Sequence, residues 1–272
     1  CMEVWGGNQA VDRAFETAGL KIWVYSQPFG QAAGGGDVYY ISSCASGRIT
    51  RVLLGDVSGH GEAVSGIAVA LRDLMRQNVN YIRQSRFVEA MNQQFAAYGQ
   101  QDVFATALVS TFFAPTRTFT LCNAGHPEPL LFRRDENNWK RMRHAQLVSG
   151  RISDTPFGIQ EEAIYGELEV KLRSGDMVLS FSDAVTDSKS ESGRPLGAQG
   201  VLGLVHELDA TTPGSIIPQL TARLRELHPG NLQDDDATLL LMQSTGGGAS
   251  LKNNLLAPFR LLGPVTDRTQ IH

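Results

Sequence analysis

Arg51-Val52-Leu53-Leu54-Gly55-Asp56-Val57-Ser58-Gly59-His60-Gly61 decides the reading of this chain: an apolar run of strand character ends on an aspartate set among glycines. The same figure recurs. Asp37 closes Ala32-Ala33-Gly34-Gly35-Gly36 and opens Val38-Tyr39-Tyr40-Ile41, Asp183 ends Met177-Val178-Leu179-Ser180-Phe181-Ser182, and Asp235 stands just before Asp236-Ala237-Thr238-Leu239-Leu240-Leu241-Met242. Any one of these aspartates alone reads as a turn former or a helix cap. Four of them at strand ends place several carboxylates on one rim of a sheet. Such groups repel one another, and each costs several kcal/mol to remove from water without a partner, a conflict that a cation relieves. All-oxygen ligation suits Mg²⁺ and Mn²⁺, whereas zinc is expected to recruit histidine or cysteine.

The 272 residues suffice for one large domain or two small ones, and 42% hydrophobic with 19% charged residues excludes disorder throughout. The net charge of -4 is mild. Arg133-Arg134 and Lys140-Arg141-Met142-Arg143 read as a solvated hairpin rather than a nucleic-acid stripe, so no nucleic-acid partner is expected. Cys1, Cys44 and Cys122 are far apart and form no C-x-x-C pair, which points to neither a disulfide framework nor a zinc site; Cys44 and Cys122 read as core residues. A reducing, cytoplasmic setting is expected. No apolar run approaches the roughly 18 to 20 residues that cross a bilayer, and the first residues lack a basic segment followed by an apolar one, so no membrane partner is expected. Cys1 before Met2 fits a fragment of a longer protein.

Leu20 to Tyr25 reads as a strand, followed by those flanking Asp37 and Asp56. Val64, Ile67, Ala68, Leu71, Leu74 and Met75 recur at helical spacing, with Arg72, Asp73 and Arg76 directed elsewhere, and a weaker helical pattern runs from about Phe87 to Tyr98. Strands resume at Thr106 to Phe113, Thr118 to Cys122 and Leu130 to Arg133, the first two joined by a turn at Pro115-Thr116-Arg117. Leu168 to Leu172 and Met177 to Ser182 read as a hairpin across Ser174-Gly175-Asp176, and a late helix is expected from about Pro213 to Leu227. Helices gathered between runs of strands argue for an α+β fold. The expected organisation is a lead over residues 1–19, a domain over 20–244, and a tail over 245–272 that opens on Gly246-Gly247-Gly248.

Gly59-His60-Gly61 lacks the third glycine of a dinucleotide loop, and Gly55-Asp56-Val57-Ser58-Gly59 is not the nucleophile elbow of a serine hydrolase. Ser58 reads as a turn hydroxyl and His60 as a loop histidine. The ordered set of motifs resembles the metal-dependent serine/threonine phosphatases of protein phosphatase type 2C form, in the bacterial branch of the stage II sporulation phosphatase and the regulators of anti-sigma-factor antagonists. Gly35-Gly36-Asp37 is similar to that branch's first acidic motif, and the stretch from Gly55 to Gly61 to its most specific one. Asn123-Ala124-Gly125-His126-Pro127 resembles its mid-domain turn, and Ser182-Asp183-Ala184-Val185-Thr186-Asp187 and Asp235-Asp236-Ala237-Thr238 its last two acidic motifs.

The resemblance implies a four-layer α-β-β-α sandwich with two central antiparallel sheets and a two-ion Mn²⁺ or Mg²⁺ centre at one end. It implies Asp56 as the bridge between the ions, the Val57 carbonyl and Asp37 on the second, and Asp183 and Asp235 on the first, with Asp236 behind them. The implied reaction is hydrolysis of phosphoserine or phosphothreonine on a signalling partner protein by metal-bound hydroxide, with no phosphoenzyme. Two positions depart from the pattern: Tyr40 replaces a second acid, and Ala184 replaces a glycine. They motivate the alternative of a catalytically weak pseudophosphatase that serves as a binding module. A left-handed Ala184 would strain Asp183, in which case Ala184→Gly is expected to bind Mn²⁺ more tightly; with negative φ the alanine is harmless. The lead before Leu20 and the helix from Glu62 to Gln77 are the expected places where a regulatory domain or partner acts, and removal of residues 1–18 is expected to change kcat or metal affinity without unfolding the domain.

Overall fold

The computed structural model describes residues 3–44, 47–58, 62–97, 103–143, 154–247 and 266–270. In chain order the elements are β1 (Glu3–Gly7), β2 (Val11–Thr17), β3 (Leu20–Gln27), β4 (Asp37–Cys44), β5 (Ile49–Val57), α1 (Glu62–Gln77) and α2 (Gln84–Ala97). Then come β6 (Ala105–Phe113), β7 (Thr118–Ala124), β8 (Leu130–Arg133), β9 (Asn138–Arg141), β10 (Leu168–Lys171), β11 (Met177–Phe181) and α3 (Asp183–Asp187). The last are α4 (Gly197–His206), α5 (Ile216–Leu227), β12 (Ala237–Ser244) and β13 (Thr266–Gln270).

Alternate residues of the central strands serve different cores, as the two-residue period of a strand requires. In β4, Val38 and Tyr40 join Leu53 of β5 and Leu71, Leu74 and Met75 of α1 in one apolar cluster, while Tyr39 and Ile41 join a second with Val52 of β5. Leu20, Ile22 and Val24 of β3 and Leu240 and Met242 of β12 enter that second cluster from the opposing sheet. The other parity of β12, Leu239 and Leu241, packs with Ile216, Leu220 and Leu224 of α5. Strands loaded on both faces therefore demand a layer on each side. The result is two sheets face to face, ordered β10-β7-β6-β5-β4-β1-β13 and β2-β3-β12-β11-β8-β9. Helices α1 and α2 cover the first sheet and α3, α4 and α5 the second, which is the expected α+β sandwich. Every described pairing between these strands is antiparallel except that of β1 with β13, and the isolated bridge of Ala107 with Gly125 is also parallel.

Several local expectations change. The segment before Leu20 contributes a strand to each sheet, with the rings of Trp5 of β1 and Phe15 of β2 tilted against each other at 5.6 Å between centroids in the inter-sheet core, so it is part of the described fold. Within the segment after Ser244, β13 pairs in parallel with β1. The expected hairpin across Ser174-Gly175-Asp176 does not form, because β10 pairs with β7 whereas β11 lies between β12 and β8 in the other sheet. Burial separates the two strands: β11 is buried at every residue and suits a central position, while β10 alternates with exposed Glu169 and Lys171 and suits an edge. Cys44 is disulfide-bonded rather than a core thiol, and Cys122 is buried and free. Gly59, His60, Gly61 and Tyr98 lie outside the described residues, as do the side chains of Val64, Ala68 and Arg72. Among the described residues no helix is long and apolar enough to cross a membrane.

Candidate metal centre

Antiparallel pairing sets Asp37, the first residue of β4, directly opposite Asp56 near the end of β5. In the second sheet β11 pairs with β12, and the Ser182 N–H donates to the Thr238 carbonyl at 2.9 Å, so Asp183 and the Asp235-Asp236 pair emerge at one common rim. Both sheets bring their acids to the same end of the sandwich. The charges register this proximity. Burial first, and then Asp183, Asp235 and Asp236, push the Asp56 carboxyl up to about 7. Asp37 is raised well above the carboxylate range by burial and by Asp56, and Asp183 is raised by burial, Asp235 and Asp187.

Asp37 is only 2% exposed, and among the described residues neither of its oxygens has a hydrogen-bond partner. The hydroxyls of Ser182 and Thr238 stand near enough to moderate its shift, but their bonds go elsewhere: Thr238 shares one with Ser26 at 2.8 Å, and the Ser182 hydroxyl donates to the Asp236 carbonyl at 3.4 Å. An unpaired buried carboxylate opposite another is unstable without a counter-charge. Among the described residues none of Asp37, Asp56, Asp183, Asp235 and Asp236 forms an ion pair.

Gly36 explains the glycine run before Asp37. A Cβ there would stand 2.9 Å from the Val57 carbonyl oxygen, 3.3 Å from Asp236 Oδ2 and 3.6 Å from Asp56 Oδ1, so three oxygens face the space that glycine leaves open. At Gly35 a Cβ would collide with the Asp236 carboxylate. Asp236 accepts the N–H of Phe29 at 2.7 Å and that of Gly36, tying the β3–β4 connection to the start of β12. It therefore holds the glycine segment against the rim. Asp235 in turn accepts the Asp236 N–H at 2.8 Å. The donors fit a hard divalent cation in kind, being carboxylate and carbonyl oxygens. Among the described residues no group of three acidic, imidazole or thiol side chains converges as a ready-made ligand set, so the cluster is gathered but not closed.

The two departures from pattern fall away from these oxygens. Tyr40 points with Val38 into the cluster under α1 and α2, where an acid would be buried among apolar side chains. Ala184 is helical in α3, not left-handed, and packs in the outer core of the second sheet, which removes the strain that Ala184→Gly was expected to relieve. Sequence reasoning did not foresee the roles of His126 and Thr106. Thr106 lies opposite Asp56 on the other flank of β5, and its hydroxyl shares a 2.8 Å hydrogen bond with His126 Nδ1. Asn123 fixes the histidine, accepting its N–H and donating to its carbonyl, both at 2.8 Å. Burial lowers the His126 pKa to about 3, so the ring is neutral at ordinary pH. The reciprocal Asn-to-His spacing of three residues is the sequence trace of this clamp.

An α-β-β-α sandwich with acidic residues from both sheets at one rim defines the fold of the protein phosphatase type 2C class. The family model of Stage II sporulation protein E (SpoIIE) matches residues 46–245, and the chain belongs to that family. Phosphoserine phosphatase RsbU of Bacillus subtilis (strain 168) is 23% identical over 220 residues, covering 79% of this chain and 61% of RsbU. The structure of the RsbU and RsbW domains of Rv1364c from Mycobacterium tuberculosis superimposes with a TM-score of 0.68 at 24% identity, over 88% of this chain and 64% of that one. The PP2C phosphatase domain of SpoIIE from Bacillus subtilis gives 0.69 at 14% identity, over 84% and 64%. RsbX, solved in complex with magnesium, gives 0.61 at 15% identity, over 86% and 99%. The chain thus spans under two thirds of the length of RsbU and of the Mycobacterium tuberculosis protein.

Proposed function

We propose that this chain is a metal-dependent protein phosphatase that hydrolyses phosphoserine or phosphothreonine on a bacterial signalling partner and answers to a regulatory domain or partner. The observation that carries the reading is Asp37, buried without a partner directly across the ladder from Asp56. Asp56 would bridge two Mn²⁺ or Mg²⁺ ions, with Asp37 and the Val57 carbonyl serving one and Asp183 and Asp235 the other. Such a pair would acidify a shared water and neutralise charge developing on the phosphoryl oxygens. The chain's own part is to hold that pair and a dianionic phosphate in line. Asp236 fixes the glycine segment through the N–H groups of Phe29 and Gly36, and Gly36 leaves the approach open.

Direct hydrolysis is favoured over a covalent route because the nearby protein nucleophile is occupied. The Ser58 hydroxyl donates to the Phe104 carbonyl at 2.8 Å and accepts the Phe104 N–H at 2.9 Å, so it braces β5 against β6. Cys122 is buried, and burial raises its thiol pKa, which disfavours a reactive thiolate. His126, neutral and held by Thr106, serves as a positioning group beside Asp56. The test is turnover of p-nitrophenyl phosphate and of a phosphoserine peptide with and without Mn²⁺ or Mg²⁺, paired with anomalous scattering from Mn²⁺-soaked crystals. Activity that persists in excess EDTA would overturn the proposal.

A further inference from the structure

A second feature adjoins the aspartate rim without belonging to it. A pocket of about 380 Å³ opens where β3 ends, walled by Gln27, Phe29, Arg225, Leu232 and Gln233 with Pro28 and Gly30, and among the described residues its lining holds one cation and no acid. Its walls are anchored to the aspartate rim. The Phe29 N–H bonds Asp236, Gln27 pairs with Ala237, and Gln233 precedes Asp235 by two residues.

Arg225 is preorganised rather than neutralised. Its Nη2 donates to the Tyr25 hydroxyl at 2.9 Å, and that hydroxyl donates to Gln27 Oε1 at 2.5 Å. Among the described residues it makes no ion pair, whereas Arg223, two residues earlier on α5, reaches both Glu207 and Glu226. A cation in the last turn of a helix gains a little from the helix dipole, but that alone calls for no tyrosine relay and no open pocket. The guanidinium keeps its other N–H groups for a planar acceptor, in the fork geometry that suits a carboxylate. Phe29, 56% exposed, adds an aromatic face beside it.

We propose that this pocket is a docking subsite for an acidic side chain flanking the phosphorylated residue of the protein substrate. The subsite rests on the phosphatase reading. A phosphoprotein held at the rim must lay neighbouring residues over the surface beside Asp235 and Asp236, where acidic ones meet the repulsion of the aspartates unless a cation compensates. Arg225 supplies that cation on the Phe29 side.

The test uses two labelled phosphoserine peptides that differ only in flanking Asp/Glu versus Asn/Gln, with binding read by fluorescence anisotropy, which needs no turnover. The whole chain should bind the acidic peptide about fivefold more tightly than the amide one, the scale of a single solvent-exposed charge pair. Arg225→Ala should abolish that preference while leaving p-nitrophenyl phosphate turnover unchanged, Arg225→Glu should invert it, and Tyr25→Phe should weaken it. Added salt should shrink it. Equal binding of the two peptides by the unsubstituted chain, or a preference that survives Arg225→Ala, would overturn the subsite. Failure of the phosphatase reading shows separately, as absence of metal-dependent p-nitrophenyl phosphate turnover, with the peptide preference still measured on the same protein.

Discussion

Two aspartates near opposite ends of β11 are equally hidden from water and treated in opposite ways. Asp176, fully buried just before the strand, accepts from Arg133 Nη1 at 2.7 Å, from the Arg173 N–H at 2.8 Å and from the Arg134 N–H at 3.1 Å. Asp37, beside Ser182 just past the far end, accepts no hydrogen bond among the described residues. The chain thus builds a complete receptor for a buried carboxylate where the role is structural. At the other end it leaves the acid, and its neighbours, in want of positive charge. Incomplete satisfaction at a rim, set against full satisfaction elsewhere in the same sheets, is the mark of a site prepared for a ligand.

The contrast between the two ends breaks most visibly in Asp56→Asn, which keeps the shape and removes the charge proposed to bridge the ions. Its kcat should fall about a thousandfold in the presence of Mn²⁺; a folded variant that keeps more than about a tenth of the activity would remove Asp56 as the bridge. Next in size is a pair of stability changes of opposite sign. Asp176→Asn should cost about 2 kcal/mol in urea unfolding, less than for a fully buried pair because Arg133 retains 24% side-chain exposure. Asp37→Asn in EDTA should instead raise stability, since it deletes an uncompensated charge. If both variants are destabilised alike, the contrast is wrong.

A pH profile sharpens it further. Asp37, Asp56 and Asp183 have folded pKa values above the usual 3.8, so their stabilising effect is full below about pH 4 and is lost as pH rises, for Asp56 through about 7. His126 runs the other way: lowered from 6.5 to about 3, it stabilises above about pH 6.5 and that contribution is lost in acid. In EDTA the three carboxylates outweigh one imidazole, and stability should decline from about pH 4 to 7. Saturating Mn²⁺ should abolish that decline and leave the opposite slope of His126, as followed by thermal melts. The smallest effect belongs to Ala184→Gly, which should cost up to about 1 kcal/mol through helix propensity and leave the Mn²⁺ titration unmoved.

The rim itself was legible because each of its aspartates closes or opens an apolar run, and local pattern suffices to place a residue at a strand end. Leu71, Leu74 and Met75 likewise announced α1 through spacing alone. What escaped was set by partners distant in the chain. The segment Asp12-Arg13 of β2 is exposed and polar, and Gly6-Gly7 of β1 carry no side chain to alternate, so neither strand shows its period, although Trp5 and Phe15 seal the inter-sheet core. The turn at Gly175 looked like a hairpin because its residues suit one; the pairing of β10 with β7 is decided more than forty residues upstream. The resemblance put Asp236 behind the implied ligands, yet its grip on Phe29 and Gly36 arises from sheet pairing rather than from neighbours in sequence.

The order of strands carries a last consequence. The chain crosses from one sheet to the other between β1 and β2, between β3 and β4, between β7 and β8, on both sides of β10, and again before β13. Neither sheet is a continuous segment, so neither amounts to a foldon that forms first and waits. Both must be stitched together in one late event, with slow folding as the kinetic cost of so many distant pairings. Amide exchange should then reveal a single slow class shared by β5 and β12, and a protease that opens one sheet should find the other open as well.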